Sequence, residues 1–495
     1  MTDIVVEYKN QLRATIRAER STLQEIWDSL YYTFPNFQFT PAYKSGRWDG
    51  KIRLLNLRDC SIYKNMLPKL MAWARDAGYS FDIEDKAKFR PAVKFDPAWL
   101  DRWAEYGTME PMEHQRKYIA DALKWNQALL LSPTSSGKSY IMYLSIRWLL
   151  ENTTGKILIT VPSTSLVEQM FSDFEEYAVN WNVGDHVHKI YDGAEKTTSK
   201  RVILSTWQSI VNLPPAWYSG ITAYFCDEAH QADKDSITGI VDKLENCPVR
   251  IALTGTLNGT KVHEMELKGR FGPTFQHVTT AELMRLGLVA KLSIVCKRLK
   301  YTQAERKAVY DAKDYDHEID YIVKNEKRNQ IIVSDALECD GNALILFNFV
   351  ERHGDVLYKM LQEQAEAAGK IVFYLHGKVK TEERERIRKL METRDDVIML
   401  ASYGVMSTGV SVKSIRHIFF AHPFKARIKN LQSIGRGLRL KKGKTEAVLH
   451  DYGDDFCYTP RTAERKNHLF KHFVERLKIY AEEEFDYEVI EVDVV

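Results

Sequence analysis

The run Gln127–Ser139, QALLLSPTSSGKS, decides how the rest of the chain is read. A short apolar stretch leads into the tail of a phosphate-binding loop, G-x-x-x-x-G-K-[ST], with Ser132 where the first glycine belongs. A helical pattern, KSYIMYLSIRWLLE (138–151), follows at once. Strand, loop, helix is the setting the motif requires. There the backbone N–H groups of Thr134, Ser135, Ser136 and Gly137 and the helix N-terminus surround phosphate oxygens, and Lys138 reaches the outer phosphates. Ser139 would turn its hydroxyl to Mg²⁺. The tail alone fits an ordinary helix N-cap followed by a surface lysine equally well. Ser135 must also take up a turn that glycine would find easy.

The second element is AYFCDEAH (223–230), in which Asp227 and Glu228 close an apolar run downstream of the loop. Open α/β sheets bind ligands at the carboxyl ends of their strands, so Asp227 is expected beside the phosphates, holding Mg²⁺. Glu228 is then placed to orient and deprotonate the attacking water. With both elements in one chain, an ATPase is the better reading.

The apolar runs 128–132, 157–161, 202–205, 223–227 and 250–254 alternate with helical patterns. The rhythm resumes at 343–347, 371–375, 397–401 and 417–421, after a connector near 290–340. Continuous β-rich runs separated by helices imply parallel sheets covered on both faces. The expectation is α/β: two tandem parallel-sheet domains, 91–290 and 291–495, behind a small α+β domain, 1–90. A last helix, HLFKHFVERLKIYAEEEF (468–485), is expected to pack on the second domain.

Composition bounds the class. The chain has 495 residues, 44% hydrophobic and 28% charged, as expected of a globular protein of two to four domains. No run reaches the ~18 apolar residues of a membrane span, and MTDIVVEYKN lacks a secretory layout. Six cysteines stand singly, which fits reduced thiols in a cytoplasmic protein and argues against a zinc site. The net charge of +3 does not identify a polyanion binder, but basic residues gather at 43–53 and 424–444.

In the N-terminal stretch, STLQ (21–24) has capping-box spacing and predicts a helix from Ser21. FQFTPAY (37–43) and KIRLLNL (51–57) read as extended segments joined through KSGRWDG, with Asp49-Gly50 at a tight turn. Arg47, Trp48, Lys51 and Arg53 would then offer an aromatic among cations to DNA. The competing reading makes Trp48 core and the cations solvated.

From 110 to 440 the chain resembles the superfamily-two helicases. PMEHQRKYI (111–119) looks like the segment whose glutamine reads adenine, here Gln115. VPSTSLVEQM (161–170) and STWQSI (205–210) resemble strand-contacting motifs, which assigns Ser163, Ser205 and Thr206 to the DNA backbone. LTGT (253–256) resembles the motif that couples hydrolysis to the strand track, and implies that role for Thr254, Thr256 and His230. FNFVERHG (347–354) resembles motif IV. MSTGVSV (406–412) and LQSIGRGLR (431–439) resemble motifs V and VI. The resemblance gives Ser407 to DNA, Gly409 to ATP, and Gln432, Arg436 and Arg439 to catalysis. Arginines three apart share a helix face, and such groups stabilise charge developing on the γ-phosphoryl.

YKSGRWDGKIRLLN (43–56), ASYGVMSTGVSVK (401–413) and YAEEEFDYEV (480–489) are similar to the UvsW recombination and repair DNA helicases of T-even-type phages. That resemblance implies ATP and Mg²⁺ as cofactors and branched, duplex and single-stranded DNA as substrates, remodelled by fork regression, junction migration and unwinding. It also implies a monomer in the host cytoplasm, working beside single-strand-binding or recombination proteins. Two alternatives stay open: an RNA helicase on the same motor, since DEAH is shared with RNA enzymes, and a DNA-annealing protein with a vestigial loop.

Overall fold

In this computed structural model the strand Gln127–Leu131 lies inside a seven-stranded, wholly parallel sheet. Its neighbours on one side are Val249–Thr254, Ile221–Cys226, Lys156–Val161, Val202–Thr206 and Val187–Ile190, in that order, with Thr274–Phe275 on the other. Residues 2–231, 234–257, 261–312, 314–407, 412–423, 435, 445–459 and 465–494 are described here. The central strands are buried along nearly their whole length, which is why they read as apolar runs. Each of the five apolar runs expected in this half forms a strand. The short strands at 187–190 and 274–275 carried no such signal.

Two compact units make up the chain: residues 1–132 with 137–277, and residues 133–136 with 278–495. The first holds a separate four-stranded sheet, ordered Ser61–Tyr63, Arg13–Ala18, Ile4–Tyr8, Phe81–Ile83. The helices Arg20–Ser29 and Leu67–Asp76 cover it around Ile16, Ile26, Ile62 and Leu70. This module is joined to the parallel sheet through polar contacts. Arg250, fully buried, donates to Gln11 O, Cys247 O and Arg270 O at 3.0, 2.6 and 3.0 Å. Asn65 Nδ2 donates to Gln127 Oε1 at 2.8 Å.

Three local expectations are corrected here. The first helix starts at Arg20 with Glu19 at its cap, so Ser21 lies inside it and caps nothing. The segment 37–43 is not extended: Phe37–Phe39 is a 3₁₀ turn, and Pro41–Lys44 is a helical turn capped by Thr40. Lys51–Arg53 pairs instead with Tyr31–Thr33, antiparallel. Pro41 explains the change, because its fixed φ suits the first position of a helical turn.

The second unit carries another seven-stranded parallel sheet. Its order is Ile371–Leu375, Val397–Ser402, Asn342–Phe347, Ile415–Phe420, Glu446–Asp455, Lys291–Lys300, Asp486–Asp493. Four of these were expected. The supposed connector near 290–340 is instead the strand Lys291–Lys300 followed by the helices Gln303–Ala312, Tyr315–Lys324 and Glu326–Glu338. The helix His468–Glu482 packs on Glu446–Asp455 through Arg476, whose guanidinium holds Asp451 at 2.8 Å with both side chains fully buried. Among the described residues no helix is long and apolar enough to cross a membrane.

Candidate functional site

Parallel strands bring the ends of five segments to one rim of the first sheet: Leu131, Thr254, Cys226, Val161 and Thr206. The Asp227 strand is not adjacent to that of the phosphate loop, because Val249–Thr254 runs between them. The loop is tied to this rim at its root, where Ser132 N donates to Thr254 O at 2.9 Å.

Within the loop, Ser135 has φ +67°, the left-handed turn that its position demanded. Gly137 has φ +83° and caps the helix Lys138–Asn152. A Cβ on Gly137 would also lie 2.2 Å from Gln115 Nε2, so a side chain there would displace the glutamine amide as well as strain the turn. Gln115 is buried, with Oε1 accepting from Met112 N at 2.9 Å, and its amide rests against the loop. Lys138 Nζ donates to Ser132 O at 3.2 Å and lies 3.8 Å from Glu228 Oε1. The Ser139 hydroxyl meets Tyr177 OH at 3.0 Å. Tyr177 ends the helix Thr164–Tyr177 and was missed in the sequence, since nothing in its own surroundings marks it as a neighbour of the loop.

Asp227 and Glu228 form the most polar buried part of the rim. Asp227 Oδ1 and Glu228 Oε2 are buried and accept no hydrogen bond. Burial first, and then the charge of Glu228, push the Asp227 carboxyl up to about 7. Such a carboxylate calls for a cation, and Asp227 with Ser139 is a hard oxygen donor set of the kind that suits Mg²⁺. Glu228 itself has φ +47°, a strained value for a residue with a side chain and of a kind that clusters at functional sites.

The three residues expected to couple hydrolysis to the track are adjacent. Thr254 Oγ1 donates to Thr256 O at 2.7 Å, so it must accept at its 2.6 Å contact with His230 Nδ1. That fixes the proton on Nδ1. Burial holds the His230 pKa down to about 4, so the ring is neutral. Its Nδ1 also lies 3.4 Å from Glu228 Oε2, giving a continuous polar path from Glu228 through His230 to Thr254 and Thr256.

The residues assigned to DNA fare differently. Ser163 caps its helix, accepting weakly from Leu166 N at 3.4 Å. Ser205 is fully buried and donates to Ile190 O at 2.9 Å, and Thr206, also buried, bonds Ser209 Oγ at 2.8 Å. Both hydroxyls are thus used within the fold. In the N-terminal module Arg53 is clamped by Asp49 at 2.5 Å and stacked 3.5 Å over Trp27. Lys51 sits 3.9 Å over Tyr31. Trp48 is neither core nor free: it is half-buried, and its Nε1 donates to Lys51 O at 2.9 Å, closing the loop. Arg47 is exposed. Two large exposed rings nearby, Phe39 and Tyr43, were hidden in the sequence by the extended reading of 37–43. Gly409, Gln432, Arg436 and Arg439 lie outside the described residues, as does the side chain of Ser407.

Comparison with known proteins agrees with this geometry. Family models match residues 3–84 (DNA helicase UvsW, N-terminal), 108–259 (type III restriction enzyme, res subunit) and 323–441 (helicase conserved C-terminal domain). The ATP-dependent DNA helicase UvsW of Enterobacteria phage T4 is 34% identical over 509 residues, spanning 98% of each chain. The crystal structure of T4 UvsW matches with a TM-score of 0.51 at 31% identity over all of both chains. The DNA-bound ATP-dependent type ISP restriction-modification enzyme LlaBIII matches 82% of this chain and 32% of its own, with a TM-score of 0.56 at 13% identity, a likeness of fold alone. A relative matched from end to end at this identity shares the N-terminal module as well as the motor, and the chain belongs to the UvsW family of ATP-dependent DNA helicases.

Proposed function

We propose that this helicase remodels branched DNA, regressing forks, migrating junctions and unwinding duplexes in recombination and repair. The observation that carries the reading is the exposed loop of the N-terminal module. Phe39 is 68% and Tyr43 40% exposed, beside the exposed cations Lys44 and Arg47. Aromatic faces stack on unpaired bases without reading sequence, and cations hold the phosphates on either side. A junction is where paired and unpaired DNA meet. The division of labour follows the segments 1–90, 91–290 and 291–495.

At the ATP site, Lys138 and the loop N–H groups hold the phosphates, and Gln115 stands where it can read the base. Asp227 and Ser139 would hold Mg²⁺, which would supply positive charge against the phosphates. Glu228 takes the proton of the attacking water. We assign Arg436 and Arg439, with Gln432, to stabilising the charge that develops on the γ-phosphoryl, and Gly409 to ATP. Hydrolysis then reaches the strand track through His230, Thr254 and Thr256. Ser163, Thr206 and Ser407 line that track through their loops, with backbone N–H groups rather than the Thr206 hydroxyl touching phosphate. The enzyme is expected to act as a monomer in the host cytoplasm, beside single-strand-binding or recombination proteins.

The test is an ATPase and unwinding panel over forks, four-way junctions, linear duplex, single strands and RNA. Forks and junctions should stimulate most. Phe39→Ala with Arg47→Ala should weaken junction binding about tenfold and leave ATPase activity on saturating single-stranded DNA within about twofold, since one base–aromatic stack contributes ~1–3 kcal/mol. Stimulation by RNA alone would overturn the reading.

A further inference from the structure

At the opposite end of the first sheet, beside the start of strand Gln127–Leu131, the first unit holds an open cleft of about 720 Å³. It lies about 15 Å from the phosphate loop, the length of that five-residue strand. Its volume is that of a small-molecule site. The N-terminal module supplies one wall, through Lys64, Lys69 and Phe89, and the motor supplies the other, through Lys124, Trp125 and Lys268.

The charge of this wall is one-sided. With Arg90 it carries five cations, and among the described lining residues there is no carboxylate, in a chain whose bases and acids number 70 and 67. Among the described residues, only Lys268 of these five has an acidic partner, Glu264 at 2.8 Å. Lys64 Nζ donates to an amide, Gln11 Oε1, at 3.2 Å and otherwise faces the rings of Tyr8 and Phe89 at 5.2 and 6.0 Å. Burial, together with the Arg250 charge behind it, pulls its pKa down to about 8. Lys69 Nζ donates to the Tyr32 hydroxyl and lies 3.7 Å from the centre of its ring. Partly buried cations without counter-charge are costly, and an anion entering the cavity would supply it.

The apolar surface narrows the class of anion. Trp125 ends the helix Glu113–Trp125 half exposed, its ring 6.4 Å from that of Phe275. A tryptophan left this open beside a lysine presents a stacking face. A bare inorganic ion has no use for such a face, and a fatty acid has no use for five cations. A planar aromatic carrying phosphate uses both.

We propose that this cavity is a second nucleotide-binding site, with a base on Trp125 and phosphate among Lys64, Lys69 and Lys124. Because its walls come from both the N-terminal module and the motor, the ligand holds the two together. The nucleotide is either free or a unit of the DNA substrate, and the same chemistry serves both.

Calorimetric titration of the full chain with ADP tests this. Wild type should bind two ADP, and Lys138→Ala should keep the cavity site alone. Lys124→Glu with Trp125→Ala, both exposed positions, should weaken that second site at least tenfold and spare the first. Lys64→Gln, read in the same way, carries the test should the first pair lose its melting transition. Displacement of ADP from the Lys138→Ala protein by a twelve-residue oligothymidylate assigns the site to DNA, and failure to displace assigns it to free nucleotide. A single site abolished by Lys138→Ala, or a second site untouched by both sets of substitutions, overturns the proposal.

Discussion

Glu228, the base in the proposed mechanism, carries a backbone strain, φ +47°, that its side chain makes costly. Glu228→Gln keeps the shape and removes the base. It should lower ATP turnover by roughly 10²–10⁴-fold while DNA binding persists and ATP stays bound, as measured by single-turnover hydrolysis and filter binding. Normal turnover in that protein would show that another group takes the proton. Asp227 makes a separate prediction about pH. Its carboxyl sits above the ordinary value of 3.8, at about 7. Its contribution to stability is therefore complete below about pH 4 and is lost as pH rises through about 7. Asp227→Asn should accordingly stabilise the nucleotide-free protein at pH 8, by about 4 kcal/mol at most, and far less at pH 5. It should also abolish hydrolysis at either pH. Equal thermal shifts at the two pH values would mean that Asp227 is ionised throughout.

Among the elements, the strand Glu446–Asp455 shows why part of the fold could not be read ahead. Its sequence, EAVLHDYGDD, has the acidity of a loop, yet Asp451 and Asp454 are fully buried. Arg476 and Arg328, distant in sequence, hold them at 2.8 and 2.6 Å and make the burial tolerable. Breaking such a pair strands a charge, so Arg476→Ala should destabilise the second unit by about 3–5 kcal/mol in denaturant unfolding. A loss under 1 kcal/mol would mean that Asp451 finds water. The strands around the phosphate loop were legible for the opposite reason: apart from a few residues such as Arg250, their burial is apolar. Local signals also gave Ser135 and Gly137 their turns. They failed at 37–43, where period and composition suit a strand but Pro41 and Thr40 set a helical turn. They failed as well for Tyr177 and for the hydroxyls of Ser205 and Thr206, whose partners are fixed only by the packed sheet.

Across the molecule, the N-terminal module is not a loosely tethered reader. Gln11 sits between the two sheets, its N donating to Glu245 O at 2.8 Å and its carbonyl held by Arg250. Tyr63 adds a hydroxyl bond to Asp242 at 3.3 Å, and Asn65 bonds Gln127, the first residue of the phosphate-loop strand. Arg250 is the centre of this junction: burial lowers its pKa to about 10, and it answers three backbone carbonyls with no carboxylate at hand. Removing it takes their donor from the Cys247 and Arg270 carbonyls, each at ~1–3 kcal/mol, and leaves Gln11 O only the long 3.4 Å bond from Gln127 Nε2. The module and the first parallel sheet should therefore unfold together in scanning calorimetry of the full chain. Arg250→Ala should split that transition, releasing the module several degrees earlier and exposing residues 85–97, which follow the module's last strand, to protease. If the substituted protein still unfolds residues 1–277 in one step, the docking rests on the apolar contacts of Tyr63 and Met265 instead.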